Sequence, residues 1–277
     1  MLPALSQVCS LNSPFAADIE DYAAGACRTV EIWLGKLETY LADHTPDDVR
    51  RLLDKHEVAA PVASYQGGLL ISQGEARQQH WDHFGRRLEL CRTIGIGTMV
   101  IAGDIGKADN SGPLDQQALD RIRVSLKQAA QQAEQQNVRL AFEFQASATF
   151  ANNLQTAAAL LEEVGEPALG LCLDAFHFSV GPSKTEDLAY LTPENLFHVQ
   201  LCDVAGVPRE WAKDGDRILP GDGDFWLAPI VERLRAIDYR GCVAVELMNP
   251  QIWQISARQF GEVAMTAVRK TLGQAEM

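Results

Sequence analysis

Four separated segments of the chain are apolar runs that end in a polar side chain able to bind a metal: Leu140-Ala-Phe-Glu143, Leu171-Cys-Leu-Asp174, Phe197-His-Val-Gln200 and Val243-Ala-Val-Glu246. A buried carboxylate is costly unless it is paired or bound to a cation, so something positive should meet Glu143, Asp174 and Glu246. With the amide oxygen of Gln200 they form an all-oxygen shell. Such a shell suits one divalent ion, Mn²⁺ or Mg²⁺, better than zinc, and leaves positions for water or substrate; Co²⁺ could also fill it. The competing reading has each acid capping a helix or meeting an arginine on the rim. That explains one acid more easily than four in register.

Positioning four such groups together requires strands that end at one place. Apolar runs at Ser6–Leu11, Thr29–Leu34, Val58–Ser64, Thr98–Ala102, Val138–Phe144, Ala168–Leu173, Leu196–Leu201 and Gly241–Leu247 read as strands. Helical stretches alternate with them. Thr45-Pro46-Asp47-Asp48 offers a hydroxyl cap, a proline in the first turn and acids beside it, which predicts a helix through Leu53. Trp81, Phe84, Leu88 and Cys91 mark the buried stripe of a helix over Gly74–Ile94, and Leu119, Ile122, Leu126 and Ala133 mark another over Asp115–Gln136, whose glutamine-rich side is a solvated face. Further helices are expected at Pro14–Ala24, Asn153–Val164, Lys184–Leu191 and Ser256–Leu272, and one capped by Asp224 with Leu227, Ile230, Leu234 and Ile237 inward. Eight strand–helix units without remainder predict an α/β fold, a single (β/α)8 TIM barrel over residues 1–277, with chemistry where the strands end.

Composition agrees with a small-molecule enzyme. The chain has 277 residues, 47% of them hydrophobic, and a formal net charge of −13. Phosphate binding needs clustered Lys and Arg, so a nucleic-acid surface is not expected. No run approaches the ~18 apolar residues of a membrane span. Six dispersed cysteines with no C-x-x-C pair read as buried free thiols in a reducing compartment, which predicts a cytoplasmic protein.

Glu143, the Asp174-Ala-Phe-His177 run, the His198-Val-Gln200-Leu-Cys-Asp203 run, the Pro220-Gly-Asp-Gly223 loop and Glu246 together resemble the xylose isomerase-like superfamily of sugar isomerases and epimerases. The resemblance covers nearly the whole chain. It implies one divalent metal at the matching positions Glu143, Asp174, Gln200 and Glu246, with Glu143 and Glu246 also exchanging protons with a substrate carbon. The third ligand is commonly histidine in the epimerases; glutamine there is similar to the hydroxypyruvate isomerase branch. The resemblance also implies that His177 binds and polarises a substrate oxygen, the alternative being a loop histidine bonded to backbone, and that Arg209, on a loop that closes over substrate, pairs with a substrate anion or hydroxyl, the alternative being a solvated loop arginine.

Other candidates are less specific. Trp33 offers either a flat apolar wall to a sugar or ordinary barrel packing, and Lys107 and Asp104 follow the fourth strand. His198, two residues before Gln200, should lie deeper on the same side of its strand. The glycines of Gly221-Asp-Gly223 read as permitting a tight turn.

The expected chemistry is proton abstraction beside a carbonyl, giving an enediolate stabilised by the ion. Return of the proton elsewhere gives an isomerase or epimerase of a small sugar or hydroxy-keto acid. Loss of a β-hydroxyl instead gives a lyase or dehydratase of inosose, dehydroshikimate or 3-keto-glycoside type. A non-catalytic sugar-binding relative would have lost an acid–base residue, and both glutamates are present. An endonuclease of this barrel type would need many histidines; of the six here, His44, His56, His80 and His83 fall in early helices or their connections. Tryptophans 211, 226 and 253 are expected on exposed helices, and a homodimer or homotetramer is the expected assembly.

Overall fold

The computed structural model of the protein describes residues 1–103 and 116–274. Eight parallel strands close into a barrel in chain order. They are β1 (Leu2–Ser6), β2 (Thr29–Trp33), β3 (Ala59–Gln66), β4 (Thr98–Ala102), β5 (Arg139–Glu143), β6 (Leu169–Asp174), β7 (Leu196–Leu201) and β8 (Cys242–Val245). Closure comes from β1 on β8, with Leu2 opposite Cys242 and Leu5 opposite Val245. The helices are α1 (Phe15–Ala24), α2 (Leu34–Tyr40), α3 (Pro46–Lys55), α4 (Gly74–Ile94), α5 (Gln116–Gln135), α6 (Leu154–Val164), α7 (Ala175–Val180), α8 (Ala228–Ala236) and α9 (Ala257–Thr271).

Two cores follow from strand alternation. Outward-facing strand residues such as Leu5, Ile32, Met99, Leu140, Leu171, Val199 and Val243 pack under the helices. Inside the barrel lies a separate cluster of Ala4, Val62, Val100, Ala141, Cys172, Phe197, Cys242 and Ala244. Its small members leave room above them for larger polar side chains at the strand ends. All six cysteines are buried free thiols.

The expected caps and stripes are largely present. Thr45 and Asp48 form a reciprocal capping box at α3, Asn153 caps α6 by accepting from Thr156 N, and Ser256 caps α9 through Gln259 N. Phe84, Leu88 and Cys91 are buried on α4, as are Ile122, Leu126 and Ala133 on α5.

Several expectations are corrected. The first strand is Leu2–Ser6 and not Ser6–Leu11; Gln7–Ser10 is a buried 3-10 turn, begun where Ser6 Oγ accepts from Val8 N. Pro3, with no N–H to donate, reads against a strand, yet pairing with β8 holds it in one. Asp224 does not cap α8: its carboxylate accepts from Gly206 N at 2.9 Å, and the helix begins at Ala228 with a proline in its first turn. Lys184–Leu191 holds a 3-10 segment, Thr185–Tyr190. Trp211 and Trp226 are exposed on loops rather than helices, and Trp253 is half-buried, donating Nε1–H to Val8 O at 2.8 Å.

Beside the barrel mouth, Lys36 of α2 reaches a buried carboxylate on α1. Its Nζ lies 2.5 Å from Asp18 Oδ2 and 2.5 Å from Ser10 O, while Ser10 Oγ donates to Asp18 Oδ1 at 2.8 Å. Burial pushes the Asp18 carboxyl up to about 6 despite the lysine. Lys36→Met should lower the unfolding free energy by about 3–5 kcal/mol, because removing one partner strands the other charge in the core; urea denaturation of the two proteins reads this directly.

Candidate active site

The polar strand ends do converge. Glu143 closes β5, Asp174 closes β6, Gln200 is the penultimate residue of β7, and Glu246 follows β8 with its N–H still donating to Leu201 O at 3.0 Å. Asp174 and Gln200 are register partners. With His177, Arg217 and Trp33, the Glu143, Gln200 and Glu246 side chains line a cavity of about 230 Å³. That is smaller than the roughly 300–1,000 Å³ of drug-sized sites, a volume for a small molecule.

The cation facing these acids is Arg217, which the sequence reading did not single out. It is 1% exposed, with Nη1 at 2.9 Å from Glu246 Oε2 and Nη2 at 2.8 Å from Asp174 Oδ2 and 2.7 Å from Asp214 Oδ1. Its guanidinium also lies 4.4 Å from the Phe176 ring centre. A backbone bridge holds it there: Asp203 N donates to Ile218 O and Ile218 N to Asp203 O, while Asn249 Nδ2 donates to Arg217 O. The signal in sequence was a lone arginine between acidic Asp214-Gly-Asp216 and apolar Ile218-Leu219.

Asp203 further organises the glycine loop. Its carboxylate accepts from Gly221 N at 3.0 Å and Phe225 N at 2.9 Å. Gly221 adopts φ of 91°, which favours glycine, and a Cβ on Gly223 would come within 2.4 Å of Asp203 Oδ1.

His177 lies on the short helix α7, which Asp174 begins by accepting from Phe176 N at 2.8 Å. Ala146 N–H donates to His177 Nδ1 at 3.4 Å. Nδ1 therefore carries the lone pair, and Nε2 carries the proton, facing Glu143 Oε1 at 3.6 Å and Asp174 Oδ2 at 3.7 Å. Burial lowers the pKa of this imidazole. It presents a neutral N–H donor to the cavity.

Beneath the acids runs a buried chain. His198 Nε2–H donates to Glu31 Oε2 at 2.7 Å, Gln200 Nε2 donates to Glu31 Oε1 at 3.0 Å and to Glu246 Oε1 at 2.9 Å, and Cys172 Sγ–H donates to Gln200 Oε1 at 3.2 Å. His198 thus lies deeper than Gln200 and supports it through Glu31. In this arrangement Gln200 turns its amide nitrogen, not its oxygen, toward Glu246.

Glu143 and Glu246 are both pushed well above the usual carboxylate range, first by burial and then by neighbouring carboxylates, with Arg217 pulling the other way. Three observations fit a divalent cation here. Carboxylate oxygens of Glu143 and Asp174 lie within 4.8 Å of each other. Asp174 Oδ2 is fully buried and makes no well-directed hydrogen bond, although Arg217 Nη2 lies 2.8 Å from it. Among the described residues, Arg217 alone offsets the acids lining the cavity.

Other expected residues lie elsewhere. Arg209 does not line the cavity: it is half exposed and donates to Gly181 O at 3.1 Å. Lys107 and Asp104 fall outside the described residues. Trp33 does line the cavity, its ring 5.3 Å from that of Tyr65.

The sequence model of the xylose isomerase-like TIM barrel matches residues 20–264. The chain belongs to this family. Among similar proteins, an inosose isomerase of Halalkalibacterium halodurans is 26% identical over 252 residues, covering 90% of this chain and 88% of the relative. A 3-dehydroshikimate dehydratase of Pseudomonas aeruginosa is 27% identical over 247 residues, covering 87% of this chain but only 37% of the relative. The crystal structure of an IOLI protein with a binding zinc atom superposes with a TM-score of 0.89 over 100% of both chains at 22% identity, which shows the shared fold.

Proposed function

We propose that this protein is a divalent-metal-dependent isomerase or epimerase of a small carbohydrate. The observation that carries the reading is the pair Glu143 and Glu246, both buried and both lining one small cavity, with the strands that carry Asp174 and Gln200 between theirs in the barrel. Glu143, Asp174 and Glu246 would hold the ion, with the Gln200 amide oxygen as the neutral fourth ligand. Mn²⁺ or Mg²⁺ suits that oxygen-rich set. When bound, such an ion would supply Lewis acidity that acidifies a substrate C–H beside a carbonyl.

The chain's own groups do the rest. One glutamate removes the proton and the other returns one to the neighbouring carbon or the opposite face. His177 donates Nε2–H to a substrate oxygen as charge develops there, and Arg217 holds the carboxylates of Asp174 and Glu246 in place. Trp33 and Tyr65 supply the flat wall against which a sugar ring or chain can lie.

A dehydratase remains the second reading, supported by the similarity to a 3-dehydroshikimate dehydratase; the same abstraction followed by loss of a β-hydroxyl gives it. Incubating the Mn²⁺-loaded protein with ketohexoses, inososes, hydroxypyruvate, dehydroshikimate and 3-keto-glycosides and following each by NMR separates them. A product isomeric with its substrate supports isomerisation, and release of water or an aglycone supports elimination. The six buried thiols favour a cytoplasmic setting, and a homodimer or homotetramer is the assembly we expect.

A further inference from the structure

The polar groups of the cavity are unequally matched to the two kinds of substrate its relatives' chemistry would allow, uncharged hydroxy-ketones and anionic ones. Arg217 is the cation that a substrate carboxylate or phosphate would seek, but each of its three nitrogens already meets a carboxylate of the protein. Nη1 donates to Glu246 at 2.9 Å, Nη2 lies against Asp174 at 2.8 Å and donates to Asp214 at 2.7 Å, and Nε donates to Asp214 at 3.1 Å. Asp214 is the half-exposed member of that set and stands at the mouth of the cavity, where an incoming anion would have to displace it.

The remaining charge is of the wrong sign for an anion. Four carboxylates, Glu143, Asp174, Asp214 and Glu246, face one guanidinium, and Glu31 lies just below them. Among the described residues, these four carboxylates when ionised would outnumber the combined positive charge of Arg217 and a divalent ion. His177 offers a single neutral N–H, since its Nδ1 accepts from Ala146 N. The other donors lining the cavity, on Gln145, Ser147, Trp33 and Tyr65, are neutral as well, so the described wall pairs carboxylate acceptors with uncharged donors, a match for hydroxyl groups, which both donate and accept. The aromatic pair Trp33 and Tyr65 is complementary to the C–H face of a sugar.

We infer that this site selects an uncharged polyhydroxy ketone over a carboxylate- or phosphate-bearing substrate, with Asp214 acting as the specificity residue that keeps Arg217 closed to anions. The inference rests on the proposed function only for where the substrate sits; the charge preference can be read by binding alone. Among the described residues Arg217 is the cation lining the cavity.

The test measures dissociation constants of the Mn²⁺-loaded protein for an inosose, a ketohexose, hydroxypyruvate and dehydroshikimate by ligand-observed NMR, for wild type and Asp214→Asn. Wild type should bind the better neutral compound at least tenfold more tightly than either anion. In Asp214→Asn, with Arg217 released, that ratio should shrink about tenfold through tighter anion binding. An anion bound more tightly than both neutral compounds, a ratio unmoved by the substitution, or no binding by any of the four would overturn the inference. If an anion is preferred and Lys107→Ala abolishes the preference, the selecting cation is Lys107 and not a freed Arg217. Neutral compounds that bind with the expected ratio yet never exchange a proton would contradict the proposed function while leaving the charge selection intact.

Discussion

A Glu143→Gln protein should fold like its parent and lose about 10²–10⁴-fold in kcat, the usual worth of a positioned acid–base group. The substitution is close in shape, and Glu143 faces the neutral His177 Nε2 at 3.6 Å, too far for a hydrogen bond that the amide would forfeit. Glu246→Gln should lose as much turnover but with a structural cost. Both Glu246 oxygens accept, Oε1 from Gln200 and Oε2 from Arg217, and an amide at this position can accept only through one. Steady-state kinetics at saturating Mn²⁺ with thermal unfolding of the metal-free variants separates the two effects: Glu143→Gln should lower kcat while leaving metal-free stability unchanged, and Glu246→Gln should lower both. Full activity in either would remove glutamate-mediated proton transfer from the account.

The second large effect is expected at Arg217. Its guanidinium joins Asp174, Asp214 and Glu246 inside a site where it is 1% exposed. Arg217→Met removes the charge, keeps much of the volume and leaves two deeply buried carboxylates facing each other. Breaking a buried ion pair from one side typically costs about 3–5 kcal/mol. The loss should be largest in chelator-treated protein and smaller in Mn²⁺, because binding to the folded state alone adds stability by mass action. Urea denaturation with and without Mn²⁺ reads both quantities. Equal losses under the two conditions would mean that Arg217 and the ion do not share the same carboxylates.

Much of this arrangement was legible in the sequence because it depends on local pattern. An apolar run ending in Glu143 or Asp174 says strand, and where a parallel barrel strand ends. The stripes of α4, α5 and α8 follow from helical period alone, and the α3 capping box is written in Thr45 and Asp48. What was illegible depends on partners distant in sequence. β1 is a strand because β8 pairs with it across barrel closure, against the discouragement of Pro3. Arg217 enters the site because Asp203 and Asn249, from two other loops, hold its backbone. Arg209 read better than Arg217 by its place soon after β7, yet its side chain turns to Gly181.

Gln200 shows the same division at the scale of one side chain. Its position on β7 was readable, and so was its suitability as an oxygen ligand. Its amide orientation was not, because that is set by Glu31 from β2, Cys172 from β6 and Glu246 after β8. Glu31 in turn is fixed by His198, and although burial pushes its carboxyl up, that imidazole and the Gln200 amide together hold it below the usual range.

Ion-dependent proton exchange at a substrate carbon is tested most directly in D₂O. The protein is stripped with a chelator, then divided and returned to buffer with or without Mn²⁺, and supplied with the ketose or inosose that it converts. Proton and deuterium NMR follow the carbon beside the carbonyl. Deuterium should enter that position in the Mn²⁺ sample, at a rate reduced about 10²–10⁴-fold by Glu143→Gln, and should be absent without the ion. Undiminished conversion by the stripped protein, or conversion in Mn²⁺ with no deuterium in the product, would contradict the account.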